Sequence, residues 1–337
     1  MSLRHLPNLL SNHLTSLPLA VLYLTDGCNS RCAMCDIWRA PRRNMPAEYI
    51  DALVEAVPRL GLRWVLLSGG EATQHPDWAT IAGRFRAAGV YTMLLTNGLY
   101  TAKHADAVAA NVDELIVSLD AATAPTYAAI RGLDALDIVI RGIEAVKARG
   151  VRVITRTTVM RGNYAELPAI IDLAKGLGVD QISFLPVDVG NPHAFGDRAM
   201  QAHSPALRAD DIPALTRILD DLTSTHAADF TSGRLAESPD KLRGLVTHFR
   251  ALLGDAPPPV PRCNAPQTTA VIDVDGTLRG CYFLPAYGQW SPDDDLRAAL
   301  NRPEARAQRQ AVKDGARAEC AGCVCPLYKG PRALLAW

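Results

Sequence analysis

From residue 19 to about residue 187, short apolar runs alternate with helical stretches, and few folds accept such a rhythm. Runs of strand length lie at 20–25, 64–68, 91–96, 114–118, 152–159 and 181–186, and helical stretches at 47–60, 78–88, 102–111, 136–149 and 164–177. Strands and helices at this spacing make βαβ units and a parallel sheet. Six such units fall short of the eight that close a full barrel, so an incomplete α/β barrel and a doubly wound sheet both fit.

After residue 187 the pattern changes. Residues 188–204 are rich in Gly, Pro, His and Asn and read as a long loop. Its polar residues Asp188, Asn191, His193, Asp197 and Arg198 are candidates to line a site mouth, with an ordinary solvated loop as the plainer reading. Helices are expected at 210–225 and 239–253, then the stiff run PPPVP within 256–261. Asp275-Gly276 between β-rich segments 269–274 and 277–283 signals a hairpin, and a charged helix is expected at 296–313. A surface helix at 6–14 leads into the first strand. These breaks divide the chain into an extension (1–17), a barrel with following helices (18–255) and a smaller α+β domain (256–337).

Lys plus Arg (35) equals Asp plus Glu (35), so no net charge draws the chain to nucleic acid or to an anionic membrane. The apolar stretch at 14–24 is broken by Pro18, lacks a cleavage site, and is too short to span a bilayer. A cytoplasmic protein without membrane or nucleic-acid partners is therefore expected. In that setting eight cysteines point to metal ligation rather than disulfides.

Cys28, Cys32 and Cys35 stand as C-x3-C-x2-C directly after the first strand. Three thiolates on one loop can hold three irons of a cubane [4Fe–4S] cluster and leave the fourth open to a small chelating molecule. Structural zinc is the other reading; it wants a fourth ligand, and His75 and His104 are distant in sequence. The end of the first strand is where parallel α/β folds place active sites.

This motif, so placed, resembles the signature of the radical S-adenosylmethionine superfamily, and further family features follow in order over about residues 18–187. Ser68-Gly69-Gly70-Glu71 is similar to that family's GGE motif. The resemblance implies that the glycines admit the methionyl amino group to the backbone and that Glu71 accepts its hydrogen bond. Asn97 follows the third strand end, and Ser118 and Asp120 stand at the fourth, where relatives place polar groups near the ribose and methionyl moieties; Arg131 follows, Arg156 lies on the fifth strand, and the resemblance implies a cofactor contact for each. Met34 stands where the family often has an aromatic against adenine, and Ala72 where it often has proline. The resemblance implies an incomplete (β/α)6 barrel, a catalytic [4Fe–4S] cluster, S-adenosylmethionine, and an external reductant such as flavodoxin or ferredoxin.

A second set of thiols lies near the C-terminus: Cys263 and Cys281 in C-x12-G-x4-C around Gly276, then Cys320, Cys323 and Cys325. Soft ligands of this kind mean zinc or an iron–sulfur cluster. The pattern resembles the twitch domain, the shortened SPASM domain of the same superfamily. It implies a second, auxiliary [4Fe–4S] cluster on Cys263, Cys281, Cys320 and Cys323. Cys325 is then spare: a substitute ligand, a free thiol, or the one candidate for a catalytic role.

The implied activity is that of an oxidoreductase. S-adenosylmethionine is cleaved reductively to a 5′-deoxyadenosyl radical, which abstracts hydrogen from a small substrate such as a sugar, cyclitol or amino acid derivative in a biosynthetic pathway. The auxiliary cluster would accept the substrate electron. A redox-neutral epimerase, a lyase or decarboxylase, and a peptide or protein maturase are the alternatives. Only 27 residues precede Cys28, too few for a separate leader-peptide-binding domain, which disfavours a ribosomal peptide. The general base is not legible.

Overall fold

The protein is described by a computed structural model over residues 3–196 and 204–331; Asp197 and Arg198 lie outside the described residues. Six parallel strands run in sequence order: β1 (Leu19–Thr25), β2 (Trp64–Gly69), β3 (Tyr91–Thr96), β4 (Glu114–Ser118), β5 (Arg152–Val159) and β6 (Gln181–Pro186). The sheet stays open rather than closing β6 onto β1, as an incomplete barrel requires. Side chains such as Leu22, Val65, Leu94, Leu115 and Val153 are fully buried between the sheet and its helices.

The helices cover the sheet through apolar stripes. In Ala47–Leu60 the buried residues Ile50, Leu53, Ala56, Val57 and Leu60 recur at helical spacing. Among the described residues no helix is long and apolar enough to cross a membrane.

Past residue 256 the sheet continues. Strand β7 (Thr269–Ile272) pairs parallel to β1 on its free side, with Leu22 opposite Ile272. Strands β8 (Thr277–Arg279) and β9 (Gly288–Gln289) follow antiparallel, giving the order β6-β5-β4-β3-β2-β1-β7-β8-β9. The hairpin is thus built onto the barrel's own sheet, which brings its turn and the following Cys281 to the barrel mouth.

Some elements differ from expectation, each for a local reason. The helix expected at 296–313 is two pieces, Leu296–Ala299 and Pro303–Lys313, because Pro303 can start a helix but not continue one. The N-terminal helix spans only Pro7–Leu10; the Ser11 hydroxyl then accepts from the His13 N–H in a turn. The helix Ala124–Arg131, with Pro125 in its first turn, was not expected.

Candidate active site

The cysteine loop leaves β1 and is fixed from three sides. The Ala33 N–H donates to the Ile130 carbonyl (2.8 Å) and the Arg31 N–H to that of Arg131 (3.2 Å), tying the loop to the end of the helix Ala124–Arg131. The Asn97 amide, at the end of β3, donates to Asn29 Oδ1 (2.7 Å) and Ser30 Oγ (3.1 Å). The Asp36 N–H donates to the Phe195 carbonyl (2.8 Å). Phe195 is held at φ 65°, left-handed backbone that a bulky residue adopts only when its surroundings impose it.

Burial pushes the Cys28 thiol up to about 11 and the Cys35 thiol to about 12, each raised further by neighbouring thiolates of the same loop. A bound metal reverses that cost, since a coordinated thiol is deprotonated by the cation beside it. Three half-buried soft donors on one loop, with no disulfide among them, fit the iron–sulfur group the motif implies.

The Gly-Gly turn meets this loop backbone to backbone. The Gly70 N–H donates to the Thr25 carbonyl and the Glu71 N–H to the Gly27 carbonyl, both at 2.8 Å. A β-carbon on Gly70 would lie 2.3 Å from the Gly27 oxygen, so no larger residue fits.

The Glu71 side chain is 1% exposed and already holds four donors: the Thr73 N–H and hydroxyl, the Thr96 hydroxyl and the Asn97 N–H. Burial pushes its carboxyl above the usual range, and these hydrogen bonds pull it back. Its carboxylate ties the Gly-Gly turn to the end of β3. Asp120 is also buried, with Oδ1 accepting from the Thr158 N–H (2.7 Å) and Oδ2 2.8 Å from Arg131 Nε in an ion-pair contact that lacks hydrogen-bond alignment. Met34 lies in the main core. Ser118 and Arg156 face each other across β4 and β5. Buried Arg156 Nε has no hydrogen-bond partner among the described residues, an orphaned donor that an anionic group such as a carboxylate would satisfy. That donor, on β5 opposite the last residue of β4, fits S-adenosylmethionine.

The second set of thiols converges as well. Cys263, Cys281, Cys320, Cys323 and Cys325 line one void, with Phe283, Leu284 and Val312 among its apolar lining. Burial raises the Cys281 and Cys320 thiols and pushes Cys323 up to about 12. No group of three or more His, Cys, Asp or Glu among the described residues is gathered tightly enough to grip one ion. Soft thiols gathered at one void suit a cubane cluster or tetrahedral zinc. Cys263, Cys281, Cys320 and Cys323 are expected to hold the second cluster, so Cys325→Ala should keep its iron and Cys323→Ala lose it. Iron and sulfide analysis decides, and the reverse outcome exchanges the two roles.

A cavity of about 550 Å³ is lined by Asp36, which directly follows Cys35, and by Tyr282, which directly follows Cys281, together with Arg39 and Arg43. Gly69, Gly70 and Asp36 form its barrel side, and Tyr282, Asp273 and Arg279 its hairpin side. Of the predicted mouth residues, His193 reaches it. Asp188 instead shapes its own turn by accepting from the Gly190 and Asn191 N–H groups, and the Asn191 amide donates to the Phe283 carbonyl. The residues sequence reasoning missed are on the hairpin. Asp273 Oδ2 accepts from Arg279 Nε (3.0 Å), while its Oδ1 is buried without a partner among the described residues. The Tyr282 hydroxyl accepts from the Phe195 N–H (2.7 Å) and its ring packs edge-on against Tyr23.

Residues 22–174 match the family model described as the Radical SAM superfamily. Those 153 of the chain's 337 residues therefore carry a radical SAM domain. The chain is 35% identical over 169 residues to the GTP 3′,8-cyclase of Erythrobacter litoralis, covering 47% of this chain and 51% of that protein. It is 32% identical over 172 residues to the AdoMet-dependent heme synthase of Methanosarcina barkeri, covering 49% of each. The chain thus spans about half the length of these curated relatives. In fold it is similar to SuiB of Streptococcus suis bound to S-adenosylmethionine, with a TM-score of 0.67 and 15% identity over 96% of this chain and 76% of that one. The same neighbour has been solved bound to its precursor peptide SuiA.

Proposed function

We propose that this enzyme oxidises a small hydroxylated or amino-bearing molecule by two electrons, with the auxiliary cluster as electron acceptor and an external flavodoxin- or ferredoxin-type reductant starting the cycle. The observation that carries this reading is that consecutive residues line the cavity and the auxiliary void. Tyr282 lines the cavity and directly follows Cys281, which lines the auxiliary void. A substrate held there lies against the residues that directly follow Cys35 and Cys281.

The catalytic cluster, once bound and reduced, supplies the electron that splits S-adenosylmethionine into methionine and a 5′-deoxyadenosyl radical. The chain's own residues do the rest. Arg156 is the proposed partner of the methionyl carboxylate, and the Gly-Gly turn leaves room for its amino group. Asp273 is the proposed base: its free Oδ1 takes the proton from the hydroxyl or ammonium group on the attacked carbon, while Arg279 holds the other oxygen. Burial pushes the Asp273 carboxyl above the usual carboxylate range, and Arg279 draws it back. A base must be ionised to act, so the acid limb of kcat should lie above the pH of an ordinary aspartate.

The test supplies the holoenzyme with aminosugars, cyclitols and amino acid derivatives and follows products by mass. Oxidation yields a product lighter by two hydrogens and one 5′-deoxyadenosine per turnover, and Asp273→Asn should slow it about 10²–10⁴-fold, the usual worth of a general base. An isomer carrying one solvent deuterium, abolished by Cys325→Ala, would establish an epimerase instead. Turnover of a peptide but of no small molecule would make the enzyme a maturase.

A further inference from the structure

The end of the helix Ala124–Arg131 does more than support the cysteine loop. Arg131 is nearly buried, its side chain 8% exposed, and its Nη1 lies 3.3 Å from the Cys32 sulfur. Its Nε lies 2.8 Å from Asp120, whose side chain is 1% exposed. Asp120 is itself fixed, since Oδ1 accepts from the Thr158 N–H and its carbonyl from the Asn163 amide (2.8 Å). The Arg31 and Ala33 N–H groups donate back to the carbonyls of Arg131 and Ile130. Loop and helix end are thus clamped, and the guanidinium is held against Cys32.

We propose that Arg131, anchored by Asp120, is a positioning residue that sets the reduction potential of the cluster on Cys28, Cys32 and Cys35 through a charged hydrogen bond to the Cys32 sulfur. The proposal rests on the cluster assignment above but not on the identity of the substrate. Reduction adds one negative charge to a cluster already surrounded by thiolates. A cationic donor against one ligand sulfur stabilises that added charge, and burial keeps water from screening it. Hydrogen bonds to ligand sulfurs are among the main levers on such potentials. Asp120 offsets part of this charge, but the donor is the nearer group to the sulfur, so the net local field favours the reduced state.

The two residues therefore push in opposite directions, and mutation should separate them. In the reconstituted holoenzyme, EPR-monitored redox titration follows the signal that changes when S-adenosylmethionine is added, and the presence of that signal in the wild type checks the cluster assignment separately. Arg131→Gln should shift the potential to more negative values at unchanged iron and sulfide content, and Arg131→Lys should restore most of the shift. Asp120→Asn, which leaves the cation uncompensated, should shift the potential to less negative values. General damage to the loop would move both variants the same way. Shifts of one sign, or none in loaded protein, overturn the proposal. If Arg131→Gln lacks the signal that responds to S-adenosylmethionine, Asp120→Asn decides alone: a shift to less negative potential supports the proposal, and any other result ends it.

Discussion

Alanine at Cys28, Cys32 and Cys35 together is expected to leave a folded protein with one cluster instead of two. The loop that carries these thiols is held by backbone hydrogen bonds to Ile130, Arg131 and Phe195, and by the Asn97 amide on Asn29 and Ser30; none of these uses a cysteine side chain. Removing three thiols therefore deletes the proposed metal ligands and leaves the loop's tethers in place. Iron and sulfide should fall by half, to about four of each per chain, because the auxiliary thiols line a separate void. An unchanged iron content would show that these cysteines are not the ligands.

Gly70→Ala is expected to cost both stability and cofactor binding. The new β-carbon would meet the Gly27 oxygen at 2.3 Å and its carbonyl carbon at 2.7 Å. These are backbone atoms one residue before Cys28, so no side-chain rotation relieves the clash. Neighbouring Gly69 cannot absorb the shift, because it sits at φ 127° against the Thr25 carbonyl. Overpacking of this kind typically costs about 1–3 kcal/mol. For a chain of this size that lowers the melting temperature by a few degrees and displaces the loop that frames the cofactor. Calorimetry and S-adenosylmethionine titration should both register the change. A wild-type melting temperature with wild-type affinity would mean that the turn and the loop do not meet as described.

The barrel was legible because its signals are local and repeated. Strands β3 to β6 fall at their expected residues, since each is an apolar run bounded by turn residues. The cysteines were legible for the same reason: ligand spacing survives in one dimension. What a single sequence could not display is which groups face one another across it. Asp273 reads as the start of a hairpin turn in Asp-Val-Asp-Gly, and only the parallel pairing of β7 with β1 brings it to the barrel mouth beside Tyr23. Asp120 and Arg131 were each read as cofactor contacts from their places at and beyond a strand end, yet they meet one another, and Arg131 meets Cys32. Glu71 was read as the partner of an amino group, and four protein donors already occupy its carboxylate. Partner choice among buried polar groups follows from three-dimensional satisfaction, which spacing does not encode.

The Cys28–Cys32–Cys35 site is proposed to generate a 5′-deoxyadenosyl radical from S-adenosylmethionine. The direct measurement is 5′-deoxyadenosine formation by anaerobically reconstituted protein under strong reductant, compared with the triple-alanine variant prepared in the same way. The wild type should form it and the variant should form none; equal formation by both would contradict the assignment of the radical chemistry to these cysteines.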